Sequence, residues 1–530
     1  MLLSALLTLA SLAKPILSQV ALPQPPWLPP NSSSGVGPSS GNTTPNPQWS
    51  TLLGNLLYFY EAQRSGRLPS TKRVSWRNDS AVNDGQDVNL DLSGGYYDAG
   101  DYIKTTFPLS FTIMSICWGA NDFGRGYDMA NQTAYLDDML RWGLNWLIEA
   151  HPSPSTLFVQ VANADLDNAY WGGDLNIPTN RPSYQINDTS STPLRRTPQA
   201  ANRSTKRPYP RSARPTPSSS YGDELAMAAL ILAWATNSSD LYAQAGAYYA
   251  QYKLGGQDAV FNWDSKTPGL AVLFAQLALA EPGLAGNLSG WRQEAESYFD
   301  RIVNGTGPSY TTSGGLLWYN GDSDDASLNP ALNAAMLLTR YAQIATTSER
   351  RTSYLNFAQN QLDYALGKNP MSAPYVVGSN PNSPSNPHSA MASGGNDINQ
   401  LDTSPAQEAY VLYGAVVGGP NKQDRFFNIR SDWPETEVAL DYNAPLLTLA
   451  AAHALTDTAD PYFTQLQAGA YDAHKPSGIP CDPAFPCGHS GLSTGAKVAI
   501  GVVVSVVGLF IIVLSAYLVR RMGRRRGLKA

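Results

Sequence analysis

The chain alternates between apolar stretches with helical spacing and long polar loops rich in Gly, Asn and Asp. The apolar stretches are mostly Ala- and Leu-rich, which favours helix, and several follow a capping residue or a proline. Strand-like runs are few, and no short repeat period recurs, which argues against a solenoid. We therefore expect an all-α helical barrel or array. The predicted helices are 49–63, 107–120, 133–150, 223–236, 240–253, 268–280, 288–303, 329–346, 349–366, 404–417 and 442–456.

The two ends of the chain predict a membrane protein of the secretory pathway. Residues 1–18 form an apolar run that ends near small residues, as in a signal peptide, although its start lacks the usual positive charge. A buried N-terminal helix is the alternative. Residues 496–519 predict a single-pass transmembrane helix, because the 22 residues from Val498 to Val519 can cross a hydrocarbon core of about 30 Å. The basic tail, 520–530, then predicts a type I protein in the plasma membrane, with its body outside the cell.

Composition divides the rest of the chain into three parts. Residues 19–48 are rich in Pro and Ser and predict a flexible N-terminal segment. Residues 49–466 form the predicted body, and 467–495 a stalk. With 43% hydrophobic residues in a chain of 530, the body can bury a sizeable core. Nine N-x-S/T sequons agree with a glycosylated, secreted surface.

Charge and cysteine content exclude several function classes. The net charge is −6, and the last eleven residues contribute +6, so the remainder carries −12. That balance argues against a nucleic-acid partner. Three cysteines exclude a disulfide-rich scaffold and a cysteine zinc cluster, and the absence of an HExxH motif argues against a metalloprotease. Cys481 and Cys487 could pair in an oxidising compartment, while Cys117 in the apolar run FTIMSICWG predicts a buried free thiol.

The candidate chemistry lies in two acidic loops. GGYYDAGDYIKTTFP places Asp98 and Asp101 three residues apart, so both carboxylates can hold one water, and their repulsion raises at least one pKa. RSDWPETEVALDYNA places acidic residues beside Trp433 and Tyr442, where a poorly solvated carboxyl can stay protonated. One loop thus offers a base and the other an acid, the pair that glycoside hydrolysis needs. Alternatively, an acidic Gly-rich turn only caps a helix or binds calcium.

Three long runs, in this order along residues 49–456, carry a resemblance to a known family. The first is VSWRNDSAVNDGQDVNLDLSGGYYDAGDYIKTTFPLSFTIMSICWG. The second is LDYALGKNPMSAPYVVGSNPNSPSNPHSAMASG, and the third is EAYVLYGAVVGGPNKQDRFFNIRSDWPETEVALDYNAPLLTLAAAHAL. Together they resemble glycoside hydrolase family nine, the family of endo-β-1,4-glucanases and cellulases, and the membrane-anchored layout resembles its fungal members.

The resemblance implies an (α/α)6 barrel that hydrolyses β-1,4-glucan with inversion, usually in the endo mode. Asp101 matches the general base, Asp98 the residue that helps hold the attacking water, and Glu437 the general acid. Inversion implies that base and acid stand roughly 6.5–9.5 Å apart. Asp432 matches a position that supports the acid loop, and the positions that match sugar contacts are His388, Tyr442, Trp171 and Trp263. No cofactor is expected; structural calcium at 321–327 is open, with an ordinary helix-capping turn as the alternative.

The sequence departs from the family pattern at three places. Ala390 stands where an arginine is usual, and Asn428 where many members have Asp. Residues 189–217 are basic and Pro-rich, which prevents a helix, where the family continues into an Ala-rich helical region. We hypothesise that this stretch replaces a barrel helix through a gene-model error or a truncated variant, leaving the barrel incomplete; an exposed basic insertion is the alternative. The competing functions are therefore a catalytically impaired glucan-binding surface protein and a purely structural or adhesive glycoprotein.

Overall fold

Ten long helices dominate the computed structural model, which describes residues 19–34, 37–39, 43–187, 220–284 and 286–486. They confirm ten of the eleven predicted helices. Consecutive helices pack as pairs, α4 on α5, α6 on α7 and α8 on α9, and α10 packs on α1, α2 and α8. Their bounds are α1 Pro47–Ala62, α2 Thr106–Met129, α3 Thr133–Glu149, α4 Gly222–Thr236, α5 Ser239–Gln251, α6 Thr267–Ala280, α7 Leu288–Asn304, α8 Leu328–Ala342, α9 Ser348–Ala365 and α10 Leu440–Thr456.

The predicted helix at 404–417 is wrong. These residues form turns and short bridges in which Val416 pairs with Val376, and Val417 with Val438. Both valines are buried, so their apolar character reflects an extended segment in the core. Gly414 has φ +80°, and a Cβ there would clash with the backbone carbonyl of Asn55. Tertiary packing, and not local composition, thus decides the conformation of this segment, because a short apolar run can form either a helix or an extended segment.

The described residues also form two small antiparallel sheets. Strands β1 (Lys104–Thr105), β2 (Thr156–Val161) and β3 (Ser183–Asn187) form a sheet in that order, with Lys104 opposite Val161 and Gln160 opposite Tyr184. Strands β4 (Tyr310–Thr311) and β5 (Leu317–Trp318) form a hairpin. Because β1 directly follows the DAGD motif, the first sheet ties that motif to residues 156–187.

A buried ion pair joins α2 to α8 within one continuous core. The Arg340 guanidinium lies 2.6 Å from the Asp122 carboxylate and 3.8 Å from the centre of the Trp118 ring, over which it stacks. Burial lowers the pKa of Arg340 to about 9. The helices α8 and α10 are apolar around most of their circumference, whereas α7 buries only one face. This contrast identifies α8 and α10 as inner helices and α7 as an outer one.

The N-terminal segment is packed against the body, which corrects the expectation of a flexible segment. We call residues 19–34 the N-terminal strap. The Trp27 ring covers Gly54 on α1, where a Cβ would lie 2.5 Å from the ring. The Trp27 amide donates to the Tyr135 hydroxyl at 2.8 Å, and the Ser32 amide donates to the Tyr413 hydroxyl at 3.2 Å. Aromatic burial of this kind offsets the entropy lost in fixing a Pro-rich segment.

The compact body continues to Ala484, past the predicted boundary at 466. Tyr471, placed in the predicted stalk, is buried and donates its hydroxyl to the Phe426 carbonyl at 2.9 Å. Arg425 likewise donates to the Ser477 carbonyl at 2.6 Å. Residues 467–484 are therefore part of the folded body.

The structure describes two of the three cysteines, Cys117 and Cys481. Cys117 is a free thiol, as expected, but it is exposed on α2. Cys481 is disulfide-bonded. No helix among the described residues is both long and apolar enough to span a bilayer. The segments 1–18, 189–217 and 496–530, and Cys487, lie outside the described residues.

Candidate active site

Backbone hydrogen bonds bring three motifs together from distant parts of the chain. We call 94–103 the base loop, 386–390 the histidine loop and 430–442 the acid loop. The Ala390 amide donates to the Gly100 carbonyl at 2.7 Å, and the Leu440 amide to the Asp98 carbonyl at 3.0 Å. The His388 amide donates to the Thr436 carbonyl at 2.8 Å. The base loop is thus bonded to both other loops, and those two are bonded to each other.

The glycine of the DAGD motif is required by this close approach. A Cβ on Gly100 would overlap the backbone carbonyl oxygen of His388. The base loop and the histidine loop therefore meet backbone to backbone, with no room for a side chain between them. This contact fixes the relative position of Asp98 and Asp101, which flank Gly100.

Asp98 and Asp101 are half-buried, and both carboxyl groups are held away from bulk water. Burial raises the pKa of Asp98 to about 6. Burial also raises the pKa of Asp101 well above its usual range, and the neighbouring Asp167 and Asp98 add to that shift. The Asp101 carboxylate accepts a hydrogen bond from the Ile103 amide at 3.3 Å. Clustered carboxylates such as these cannot all ionise together near neutral pH.

Asp167 is a member of this acidic group that sequence reasoning missed. It ends a one-turn helix, Ala164–Asp167, which Asn163 caps by accepting a hydrogen bond from the Leu166 amide. Its carboxylate accepts a hydrogen bond from the Tyr102 amide at 3.1 Å, and burial raises its pKa to about 6. The signal in the sequence is the run ANADLDNAYWGG, in which Asp167 shortly precedes Trp171.

Glu437 faces the same acidic group from the acid loop. It follows the one-turn helix Trp433–Thr436 in an extended conformation, and it is buried. Burial raises the pKa of Glu437 well above its usual range, with further contributions from Asp101 and Asp98. A raised pKa favours the protonated form of this carboxyl, which is the form that a general acid needs. Burial also raises the pKa of its neighbour Asp441 to about 7, although Asn329 donates to that carboxylate at 2.9 Å.

Asp432 lies at the start of the acid-loop helix, fully buried. Its backbone carbonyl accepts hydrogen bonds from the Thr436 amide at 2.9 Å and the Thr436 hydroxyl at 2.8 Å. Its carboxylate groups with those of Glu435 and Asp482. Asp432 thus helps to fix the shape of the acid loop.

His388 and Trp171, both expected to contact sugar, are buried side by side. Their ring centres lie 5.1 Å apart, and the rings are 0% and 2% exposed respectively. Burial lowers the pKa of His388 to about 4, so the imidazole is neutral. Its Nδ1 lies 2.7 Å from the Arg430 carbonyl, to which the neutral tautomer donates. In the described structure Trp171 therefore supports His388 and does not present an exposed platform, which corrects that expectation.

Other aromatic rings remain accessible. Tyr442 and Trp263 are half-buried, as a sugar platform requires. Trp76 and Tyr410 stack at 5.0 Å with an interplanar angle of 8°, and Tyr410 is 41% exposed. Trp76 also packs against the buried cluster that contains Trp171. Sequence reasoning missed this pair, since the two residues lie far apart in the chain.

The two point departures from the family pattern have structural explanations. Asn428 has φ +54°, accepts hydrogen bonds from the amides of Ser385 and Asn386, and donates to the Ser385 hydroxyl at 2.9 Å. The amide of Asn428 thus both accepts and donates at this position, whereas a carboxylate could only accept. Ala390 is buried where the base and histidine loops touch, and its side chain is too short to reach a sugar.

The acidic stretch 321–327 forms a helix cap. Asp322–Asp325 is a one-turn helix, and the Asp324 carboxylate accepts a hydrogen bond from the Gly321 amide at 3.1 Å. This geometry matches the capping alternative.

Comparisons with known proteins point in one direction. The family model for glycosyl hydrolase family 9 matches residues 49–201 and 195–450. Endoglucanase A of Bacillus pumilus is 32% identical over 434 residues, which is 74% of this chain and 64% of that protein. The chain spans 41% of Endoglucanase B of Cellulomonas fimi. Endoglucanase 15 of Arabidopsis thaliana is 32% identical over 471 residues, covering 78% of this chain and 94% of that protein.

Solved structures agree with the sequence relatives. An endoglucanase from the termite Nasutitermes takasagoensis superimposes with a TM-score of 0.67 and 32% identity, covering 77% of this chain and 99% of that chain. Endoglucanase CelQ from Clostridium thermocellum, crystallised with cellotriose, gives a TM-score of 0.65 and 26% identity, covering 77% and 70%. The helical fold described above is therefore the fold of these enzymes.

Proposed function

This chain belongs to glycosyl hydrolase family 9, and from that premise we propose that it is an inverting endo-β-1,4-glucanase acting on cellulose or related β-glucans. The observation that carries the proposal is the meeting of Glu437 with Asp98 and Asp101. A buried carboxyl with a strongly raised pKa faces a pair of half-buried carboxylates on another loop. That is the acid and base arrangement of glycoside hydrolysis.

In the proposed reaction, Glu437 donates its proton to the glycosidic oxygen that leaves. Asp101 accepts a proton from a water held between it and Asp98, and that water attacks the anomeric carbon from the opposite face. The base must be ionised while the acid is protonated. Burial alone raises the pKa of Asp98 to about 6, whereas Glu437 lies deeper and beside two acidic neighbours. We therefore assign the ionised base to the Asp98–Asp101 pair and the proton to Glu437.

Substrate hydrolysis by the full-length protein tests the proposal. Reducing ends released from carboxymethylcellulose and mixed-linkage β-glucan should vanish in Glu437→Gln and persist in the matched variant Glu349→Gln, since Glu349 is exposed on α9. A fast fall in viscosity relative to reducing-end release would support the endo mode. Proton NMR during the first minutes should show the α-anomer first. A β-anomer, or glucan binding without release, would contradict the proposal.

We further propose that the fold is an (α/α)6 barrel interrupted near residue 200. The described residues contain ten long helices, where such a barrel has twelve. The family match falls in two stretches that meet at 195–201, within the basic Pro-rich stretch. Both observations support the hypothesis that this stretch replaces helical sequence. Sequencing the transcript across codons 185–220 tests it, and a message encoding the given residues would exclude a gene-model error.

The proposed location is the outer face of the plasma membrane. It rests on residues 1–18, 496–519 and 520–530, read from the sequence. An antibody against the body should label intact cells, whereas a tag after Ala530 should require permeabilisation. Release of the body into the medium without proteolysis would contradict the anchor.

A further inference from the structure

A second acidic cluster lies on the acid loop, and the proposed reaction does not use it. Asp432, Glu435 and Asp482 each direct a carboxylate oxygen to one place, where these atoms all lie within 4.8 Å of one another. Asp432 is the N-cap of the one-turn helix Trp433–Thr436 that precedes Glu437, and Glu435 lies within that helix. Asp482 comes from the C-terminal end of the body, 50 residues away along the chain from Asp432.

The Asp432 carboxyl is buried, with no basic partner among the described residues. It is 0% exposed, and neither of its carboxylate oxygens has a hydrogen-bond donor among the described residues. Neither Asp432 nor Glu435 forms an ion pair with a described Lys, Arg or His side chain; the described ion pairs all involve other acids. A buried, unpaired carboxylate is strongly unfavourable. Something must therefore neutralise this group.

The Glu435 carboxylate is oriented by hydrogen bonds and keeps capacity for a further ligand. One oxygen accepts from the Phe427 amide at 2.5 Å, and the other from the Asn421 side chain at 3.4 Å. Asp482 is oriented similarly, since it accepts from the Ala484 amide at 2.8 Å. Each carboxylate oxygen has two lone pairs, so each Glu435 oxygen keeps one beside the hydrogen bond that it accepts. The donors are thus fixed in place before any ligand arrives.

The donor set indicates which ligand fits. All three groups offer oxygen, which suits a hard cation. The neighbouring Cys481 is disulfide-bonded and cannot supply a thiolate. Calcium takes oxygen ligands at about 2.3–2.6 Å in a flexible geometry, and the three carboxylate oxygens here, which all lie within 4.8 Å of one another, can reach one such ion. A cavity of about 230 Å³, lined by Glu435 and Asp482 among others, leaves room for waters that complete the coordination.

We propose that Asp432, Glu435 and Asp482 bind one calcium ion, which fastens the C-terminal end of the body to the acid loop. The ion would neutralise the buried carboxylates and hold the one-turn helix by its N-cap, Asp432, and by Glu435 within it. Glu437 follows that helix directly, so the ion positions the acid without touching substrate. This site is independent of the proposed hydrolysis, because binding can be measured with no glucan present.

The competing explanation is a shared proton. Burial, together with the adjacent Asp482, raises the pKa of Asp432 to about 9. A carboxyl–carboxylate pair would then need no metal. The two explanations differ in what they bind, and that difference can be measured directly.

The test uses the full-length protein in detergent, stripped with EDTA. Terbium(III) should give sensitised emission on tryptophan excitation, because Trp433 follows Asp432 and Trp318 lines the cavity. Calcium should displace the terbium and abolish the emission. Asp482→Asn should lose this emission and one equivalent of calcium by mass spectrometry, whereas Asp472→Asn, in an exposed position nearby, should lose neither.

Calcium should also raise the unfolding temperature of the wild type more than that of Asp482→Asn. The difference in bound calcium between the wild type and Asp482→Asn excludes calcium that binds at any other site. Asp432→Asn is the stronger perturbation, and if it does not fold, Asp482→Asn decides the matter. Equal calcium content in the wild type and Asp482→Asn would overturn the proposal and favour the shared proton.

Discussion

Replacing Glu437 with Gln tests the assignment of the general acid most directly. The substitution keeps the size of the side chain and removes its acidic proton. A positioned general acid contributes about 10²–10⁴-fold, or roughly 2.7–5.4 kcal/mol of barrier at 1.36 kcal/mol per tenfold. Glu437 is only 5% exposed, so bulk water has little access to replace the lost proton. We therefore expect a loss toward the upper end, about 10³–10⁴-fold in kcat.

The choice of leaving group separates lost acid catalysis from a distorted site. Cellotetraose has a sugar alkoxide leaving group that needs a proton, whereas 2,4-dinitrophenyl β-cellobioside releases a stable anion unaided. Glu437→Gln should lose about 10³-fold or more on the first substrate and less than about tenfold on the second. Initial rates are read by chromatography for the tetraose and by absorbance for the aryl glycoside.

The control is Glu349→Gln, which removes an exposed carboxyl of the same size. It should retain wild-type rates on both substrates. Equal losses of Glu437→Gln on the two leaving groups would refute the reasoning, because they would indicate a structural defect. A loss below tenfold on cellotetraose would refute it too, since another group would then supply the proton.

Three further predictions follow from the site geometry. The acidic limb of kcat/KM against pH should rise through about pH 6, where Asp98 ionises, and Asp98→Asn should abolish that limb; an unchanged limb would contradict the role. The folded-state pKa of Asp441, about 7, is raised above its unfolded value, so its contribution to stability is lost as pH rises through 7. Asp441→Asn still accepts a hydrogen bond from Asn329. It should raise the free energy of unfolding by about 1–4 kcal/mol at pH 8 and change it little at pH 3.5, as measured by denaturant titration. Equal effects at both pH values would count against ionisation of Asp441 as the cause. Gly100→Ala should lower kcat more than tenfold and lower the free energy of unfolding by about 1–3 kcal/mol. Gly124→Ala, which has open space at its Cβ, should change neither quantity. Similar behaviour of the two variants would show that the contact between the base loop and the histidine loop is unimportant.

Helices were predictable because their signal is local. Ten predicted segments contain enough Ala and Leu, with caps and prolines at their starts, to determine helix whatever packs against them. The segment 404–417 has a similar composition, yet Val416 and Val417 form isolated β-bridges with residues from other parts of the chain. No pattern within that segment reveals its partners, since they lie up to 40 residues away.

The loops that carry the candidate residues were predictable because their motifs combine composition and spacing. Hydrogen bonds bring the loops of Asp98, Asp101 and Glu437 together, and the roles of these residues stay a prediction. Asp167 was missed because its contribution depends on the approach of a separate loop to Asp101. Trp171 was misjudged for the same reason, since an aromatic residue in a loop can equally well pack inward.

Segments near the two ends were harder to interpret. Pro- and Ser-rich sequence is typical of mobile chain, yet contacts with distant residues partly bury Trp27 in the strap and bury Tyr471 near the C-terminus. A single large aromatic residue can thus order a segment whose average composition suggests otherwise. The same argument applies to residues 467–484, whose fixed position depends on contacts with 382 and 425–426.

The contact between Trp27 and Gly54 has a consequence for how this protein can diverge. Each residue is explained only by the other, because the ring occupies the space that any side chain at position 54 would need. Positions 27 and 54 should therefore change together among homologues. A homologue without the strap has no reason to retain glycine in the middle of α1, where glycine costs about 1 kcal/mol of helix stability relative to alanine. Loss of the tryptophan should be followed by replacement of the glycine, and a lineage that acquires a strap of this kind must make room for it first.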